Sequence, residues 1–202
     1  MIRPIYYLPG AHGRLESGLG VGLIERGLRV YGRATVDEFR QYAFDDQTAL
    51  IRNDLRAPEW WNPSSLVITN SYGSYLFLNA QLHMPSFPGR VLMLSPILGS
   101  FESTERAQTF VPPYADRLMK AVRDGIFPKL DQLEIHVGSE DWQSPPGLTC
   151  EFAKLIGASV TIAAGRGHML GKDYVGPVLD RWLSNSPEHA AFNAYERSIR
   201  GL

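Results

Sequence analysis

Cysteine, surplus charge and long apolar runs are all scarce in this sequence. Only one of the 202 residues is a cysteine, which excludes an internal disulfide and a CxxC zinc pair. Lysine and arginine total 20 against 21 acidic residues, so a net charge of −1 provides no basic field for nucleic acid or an anionic membrane. No stretch approaches the roughly 18 consecutive apolar residues of a membrane helix. We therefore expect neither nucleic-acid nor membrane partners.

The beginning of the sequence lacks the pattern of a secretory leader. After Arg3 and Pro4, the apolar run ends at Leu8, which is shorter than the roughly 7–15-residue apolar region of a signal peptide. A lone Cys150 also fits a reducing compartment. The sequence therefore predicts a cytoplasmic protein.

Apolar and aromatic residues are plentiful. Hydrophobic residues make up 44% of the chain, with 9 Phe, 9 Tyr and 4 Trp, which excludes a disordered polypeptide. At roughly 150 residues per domain, 202 residues predict a single domain spanning 1–202.

Short apolar runs alternate with segments of helical periodicity along the chain, a pattern typical of α/β proteins. The predicted strands are Ile5–Leu8, Leu28–Tyr31, Leu66–Thr69, Val91–Leu94, Leu133–Val137 and Val160–Ala163. The predicted helices are Glu16–Arg26, Phe44–Leu55, Gly73–Leu82, Tyr114–Asp124, Leu148–Ile156 and Tyr174–Leu183. This alternation predicts about six mostly parallel strands with helices on both faces, and a ligand crevice beyond the carboxyl ends of the strands.

Two stretches fall outside this alternation. Residues 96–113 form a long connection, for which a short lid over the site and a plain surface loop are equally good interpretations. Residues 184–202 have the pattern of a polar helical tail.

A serine stands at the sharpest predicted strand-to-helix turn. The sequence Thr69-Asn70-Ser71-Tyr72-Gly73 follows a strand and runs directly into an apolar helix. Such a turn exposes the Ser71 hydroxyl and aims the helix N-terminus at it. Ser74 lies inside the first helical turn, where a helix-stabilising role is the expectation.

An acid and a histidine follow two later strands. Asp141 comes directly after the strand that ends at Val137, and His168 follows the last strand. Serine needs a base and a group that orients that base, and the chain order Ser71, Asp141, His168 supplies all three. Glu140 is the alternative acid.

These motifs resemble the α/β-hydrolase family. The resemblance covers residues 4–183 and rests on Thr69–Gly73, Gly138-x-x-Asp141-x-x-x-Pro145, Gly167-His168 and Pro9–Gly13. It implies an α/β-hydrolase fold similar to the small, nearly lidless bacterial serine hydrolases and esterases, without the N-terminal hairpin or a large cap. Thr69 departs from the family pattern, because it replaces the usual leading glycine of the elbow.

The resemblance also implies roles for individual residues. Ser71 corresponds to the nucleophile, His168 to the general base, and Asp141 to the residue that orients His168. The oxyanion donors are then the backbone N–H groups of Tyr72 and Ala11. An alternative register for the second donor takes His12-Gly13 as the family's His-Gly pair.

Three neighbours of these residues are candidates for substrate binding. They are His12 near the oxyanion loop, Trp142 beside the acid and Met169 beside the base. Gly18–Gly22 lacks the third glycine of a nucleotide loop, and the five histidines show no metal-binding spacing. The sequence therefore predicts neither a cofactor nor a metal.

The resulting hypothesis is a serine hydrolase that cleaves a small carboxylic ester or thioester through an acyl-enzyme intermediate. The alternatives are a peptidase or amidase, a carbon–carbon hydrolase with the same triad, and a non-catalytic binding protein on the same fold. No pattern indicates the oligomeric state.

Overall fold

A parallel six-stranded sheet forms the centre of the protein, seen in a computed structural model that describes residues 3–184. The strand order is β2-β1-β3-β4-β7-β8. The strands are β1 Arg3–Leu8, β2 Leu28–Gly32, β3 Leu66–Asn70, β4 Arg90–Leu94, β7 Leu133–Gly138 and β8 Ser159–Ala163. Strands β3 and β4 are buried along almost their whole length, since helices cover both faces. The predicted α/β class is confirmed, with each strand boundary within two residues of the prediction.

Two layers of helices enclose the sheet. Within residues 3–184 the helices are α1 Leu19–Ile24, α2 Asp37–Gln41, α3 Phe44–Arg56, α4 Tyr72–Gln81, α5 Arg117–Arg123, α6 Pro146–Ile156 and α7 Lys172–Ser184. Helices α3 to α6 contribute to the larger hydrophobic core on one face, and α1 and α7 to the smaller core on the other. None of the helices in this part of the chain is long and apolar enough to cross a membrane.

Some helix predictions were wrong in extent. Helix α1 begins at Leu19 rather than residue 16, because Gly18 adopts a positive φ of 53° immediately before it. Helix α5 begins at Arg117, since Tyr114 has a φ of 58° and its hydroxyl donates to Asp45. Helix α2 was not predicted, because it spans only five residues and has no side-chain N-cap. The predicted tail lies outside the described residues, apart from Ser184.

The 96–113 connection contains a hairpin that the sequence analysis missed. Strands β5 Phe101–Ser103 and β6 Gln108–Phe110 pair antiparallel, with Phe101 opposite Phe110. Strands of three residues are too short to show an alternating pattern. The hairpin follows β4 and therefore stands between the strand that precedes Ser71 and the strand that precedes Asp141.

A polar cluster attaches α7 to β7. His136 is buried, and its Nδ1 and Nε2 lie 2.7 Å from the Tyr174 hydroxyl and a Glu134 carboxylate oxygen, respectively. Arg181 on α7 also binds Glu134. Neutral His136 satisfies both contacts, accepting from Tyr174 and donating to Glu134. Because α7 follows His168 directly, this cluster fixes the base of the loop that carries His168.

Candidate active site

Ser71 occupies a strained turn between β3 and α4. Its φ of 52° and ψ of −122° lie outside the conformations that side-chain-bearing residues normally adopt. Such a conformation costs on the order of 1–3 kcal/mol and persists only when its surroundings enforce it. Here the Ser71 N–H donates to the Leu94 carbonyl (3.0 Å), and its own carbonyl accepts from Ile97 N–H (3.2 Å). The turn is therefore held by the loop that follows β4.

Close packing explains the small residue two positions after Ser71. A Cβ on Gly73 would lie 2.2 Å from the carbonyl oxygen of Leu8 and 2.5 Å from that of Pro9. Any side chain would push α4 away from the end of β1. Gly73 therefore allows the elbow to approach the loop that begins at Pro9.

Thr69 replaces the family's usual glycine without leaving a buried polar atom unpaired. Its side chain is fully buried, and its Oγ1 lies 2.7 Å from Oγ of Ser74. Ser74, expected to stabilise the helix N-terminus, pairs through its hydroxyl with Thr69 across the turn. The two hydroxyls satisfy each other inside the elbow.

A continuous row of hydrogen bonds joins Ser71, His168 and Asp141. His168 Nε2 lies 2.8 Å from Ser71 Oγ, and His168 Nδ1 lies 3.0 Å from each carboxylate oxygen of Asp141. The Asp141 side chain has no exposed surface, and that of His168 is 12% exposed. Asp141 accepts further bonds from the N–H groups of Gln143 and Ser144 at Oδ1. With an accepting carboxylate on one side, Nδ1 carries the proton and Nε2 is free to accept the serine proton.

Backbone contacts between two loops bring the acid and the histidine together. Glu140 N–H donates to the Arg166 carbonyl (2.8 Å), and Gly165 N–H donates to Ser139 Oγ (2.9 Å). Glu140 itself is exposed, and its carboxylate makes no hydrogen bond to His168 in the described part of the chain. The geometry therefore favours Asp141 over Glu140 as the histidine's partner.

The loop after β1 passes beside the Ser71 hydroxyl. A Cβ on Gly10 would lie 3.6 Å from Ser71 Oγ. Gly10 N–H donates to Asn70 Oδ1 (3.2 Å), and the Gly10 carbonyl accepts from Gly13 N–H (2.9 Å) and from Thr35 Oγ1. These bonds fix a turn in which Ala11 and His12 are the central, exposed residues.

Several backbone N–H groups at this edge of the sheet have no hydrogen-bond partner among residues 3–184. They include those of Ala11 in the turn and Tyr72 at the start of α4. A first-turn N–H has no intrahelical acceptor, so Tyr72 keeps its donor available. Its phenol ring is partly buried, and burial raises the pKa of Tyr72. The helix N-terminus adds a partial positive charge beside Ser71.

Sequence reasoning missed the residues that support this turn. Asn70 Oδ1 accepts from Tyr7 OH (2.9 Å) as well as from Gly10, and Thr35 reaches the same turn from the loop after β2. Burial raises the pKa of Tyr7, which keeps its hydroxyl a neutral donor. No local pattern marks Thr35 or Asn70, because their contacts depend on the order of the strands.

The three predicted substrate-binding residues have different surroundings. Trp142 packs edge-on against Phe101 of the hairpin, with ring centroids 5.4 Å apart, and lines a cavity of about 430 Å³. His12 is exposed on the Gly10–Gly13 turn, with a φ of 62°. Met169 is 85% exposed and does not line this cavity. Of the three, only Trp142 lines this cavity, and the roles of all three stay predictions.

No group of three or more His, Cys, Asp or Glu side chains within residues 3–184 is arranged to hold a metal ion. The Ser71–His168–Asp141 row contains one imidazole and one carboxylate. It is therefore suited to moving a proton from a hydroxyl rather than to coordinating a cation.

The sheet order, the crossover helices and the strained elbow define the α/β-hydrolase fold, as the sequence resemblance implied. No protein-family model and no curated protein matches the sequence.

Solved structures of several small hydrolases superpose on the chain over almost their full length. MGS-MChE2, an α/β-hydrolase enzyme from the metagenome of lagoon sediments at Mar Chica, Morocco, has a TM-score of 0.64 at 17% identity, covering 91% of each chain. A carboxylesterase of the thaumarchaeon Nitrososphaera gargenis has a TM-score of 0.60 at 14% identity, covering 91% of this chain and 90% of its own. A monoacylglycerol lipase of Paleococcus ferrophilus has a TM-score of 0.65 at 12% identity, covering 89% and 93%. These likenesses establish the fold.

Proposed function

We propose that this protein is a serine hydrolase that cleaves small carboxylic esters or thioesters through an acyl-enzyme intermediate. The observation that carries the proposal is the hydrogen-bonded row from buried Asp141 through His168 to a strained Ser71. Backbone strain of this kind clusters at active sites, where the surrounding structure enforces it. Esterases and a lipase among the structural neighbours agree with this reaction class.

The reaction begins at the Ser71 hydroxyl. Its proton passes to His168 Nε2 while Oγ forms a bond to the ester carbonyl carbon, and the carbonyl oxygen becomes an oxyanion. His168 then gives the proton to the leaving oxygen or sulfur as the bond to the carbonyl carbon breaks. A water molecule repeats the sequence on the acyl-enzyme and releases the acid.

The oxyanion is stabilised by the N–H groups of Tyr72 and Ala11. Gly10 lies beside the Ser71 hydroxyl, which supports the Pro9-Gly10 register over His12-Gly13. Each such donor contributes on the order of 3 kcal/mol to the transition state in serine hydrolases. Both N–H groups belong to fixed backbone, so they need no reorganisation during the reaction.

Covalent labelling tests the proposal directly. We expect a fluorophosphonate to modify Ser71 and the protein to hydrolyse p-nitrophenyl butyrate. The Ser71→Ala variant should lose both properties while retaining the native circular dichroism spectrum. A folded wild-type protein that is neither labelled nor active would refute the proposal. Labelling at another serine would refute the assignment of the nucleophile.

A further inference from the structure

The cavity beside Trp142 has the size and lining of a small-molecule site. Its volume of about 430 Å³ falls within the roughly 300–1,000 Å³ of ligand pockets. Ser100, Phe101, Glu102, Thr109 and Val111 of the hairpin region line one side, and Trp142 and Pro145 of the loop after β7 line the other. The cavity is therefore formed between the hairpin and the acid-bearing loop.

Aromatic contacts connect the walls of this cavity to both ends of the Ser71–His168–Asp141 row. Trp142 is the chain neighbour of Asp141 and touches Phe101. Phe101 stacks on Phe110 at 5.0 Å between centroids, and Phe110 meets Tyr72, the residue after Ser71, edge-on at 5.9 Å. The hairpin thus spans from the elbow to the acid loop.

We propose that this cavity binds the acyl group of the substrate, with Phe101 and Trp142 as its apolar walls; the inference rests on the proposed hydrolase function. The oxyanion takes the side of Ser71 that faces the turn after β1. The leaving atom must stay within reach of His168 Nε2, and Met169, the next residue in the chain, is 85% exposed, so the loop that carries His168 borders solvent. The remaining substituent of the tetrahedral carbon is the acyl group, which is directed under the hairpin.

An apolar cavity makes binding depend on acyl length. Each methylene transferred from water to an apolar surface is worth about a fourfold gain in binding. Four additional methylenes, from acetyl to hexanoyl, should therefore raise kcat/KM by about 16-fold if two of them are buried and by about 250-fold if all four are. Glu102 also lines the cavity and would repel a negatively charged acyl group, so a neutral acyl chain is the substrate class that this lining fits.

Filling the cavity tests the inference. Val111 lines it and is 68% exposed, so Val111→Trp adds an aromatic ring without disturbing the core. Ile126 is 71% exposed on another part of the surface and provides the matched control, Ile126→Trp. We expect Val111→Trp to lower the ratio of kcat/KM for p-nitrophenyl hexanoate over acetate at least tenfold, and Ile126→Trp to leave it unchanged.

A binding measurement separates this inference from the proposed function. In the Ser71→Ala background, calorimetric titration with methyl butyrate and methyl hexanoate reports the cavity without turnover. Tighter binding of the hexanoate that is lost in Val111→Trp supports the cavity even if wild-type turnover is absent. Equal affinities for methyl hexanoate with and without Val111→Trp would overturn the inference. It would also be overturned if Val111→Trp changed kcat/KM according to the leaving group of the ester rather than the length of the acyl chain.

Discussion

Replacing Asp141 with asparagine should reverse the direction of the hydrogen bond between His168 and Ser71. In the native protein Oδ1 accepts N–H groups from Gln143 (3.0 Å) and Ser144 (2.9 Å), so an asparagine oxygen must take that place. The asparagine NH₂ group then faces His168 Nδ1 and donates to it. The imidazole proton moves to Nε2, which donates to Ser71 Oγ and can no longer accept its proton.

The expected loss of activity in Asp141→Asn follows from the reversed tautomer of His168. Serine hydrolases in which the orienting carboxylate becomes an amide lose about 10⁴-fold in kcat, or about 5.4 kcal/mol at 1.36 kcal/mol per tenfold change. Stability should change little, because both backbone donors keep an acceptor. The assay is p-nitrophenyl butyrate hydrolysis, with urea unfolding to confirm the fold.

Glu140→Gln is the matched control, since it removes a carboxylate from the exposed neighbouring position on the same loop. We expect this variant to retain activity within about threefold of the wild type, because a solvent-exposed charge change is a small perturbation. Asp141→Asn activity within tenfold of the wild type, still dependent on Ser71, would refute the tautomer argument.

Three further predictions concern stability. Gly73→Ala should lower the free energy of unfolding in urea by about 3 kcal/mol, because its Cβ would lie 2.2 Å from a backbone oxygen. Gly147 in α6 has open space around it, so Gly147→Ala should raise the same free energy by about 0.5–1 kcal/mol. Burial lowers the pKa of His136, so the unfolded chain takes up a proton before the folded protein as pH falls below about 6.5, and the free energy of unfolding declines there. His136→Gln should flatten this decline. An unchanged slope of unfolding free energy against pH would contradict the prediction. Asp54→Asn should lower the free energy of unfolding by about 2 kcal/mol, because the carboxylate binds Arg33 through two hydrogen bonds and Tyr6 through a third. A double-mutant cycle with Arg33→Met that finds no coupling energy would contradict this prediction.

The strands were predictable because parallel strands buried on both faces appear in the sequence as short, continuous apolar runs. Val91–Leu94 and Leu66–Thr69 are examples, and both lie at the centre of the sheet. Because the strands are parallel, the residues that follow them lie at the same edge of the sheet. The proximity of Ser71, Asp141 and His168 was inferred from this placement and from their order in the chain.

The remaining parts of the site depend on contacts between residues that are distant in sequence. Thr35 and Asn70 support the turn at Gly10 through hydrogen bonds that no local sequence pattern predicts. The hairpin consists of short, mostly polar strands, whose inward-facing Phe101 and Phe110 find partners in Trp142 and Tyr72. Periodicity detects elements that bury a long apolar face, and the hairpin has none.

The hairpin lies outside the sheet, in the connection between β4 and α5. It supplies no strand to the sheet and no member of the hydrogen-bonded row, and its Phe101 and Phe110 pack on Trp142 and Tyr72 beside that row. With those two rings kept, loops of other lengths and sequences at the remaining positions of 100–111 are expected to change the proposed acyl preference on an unaltered scaffold.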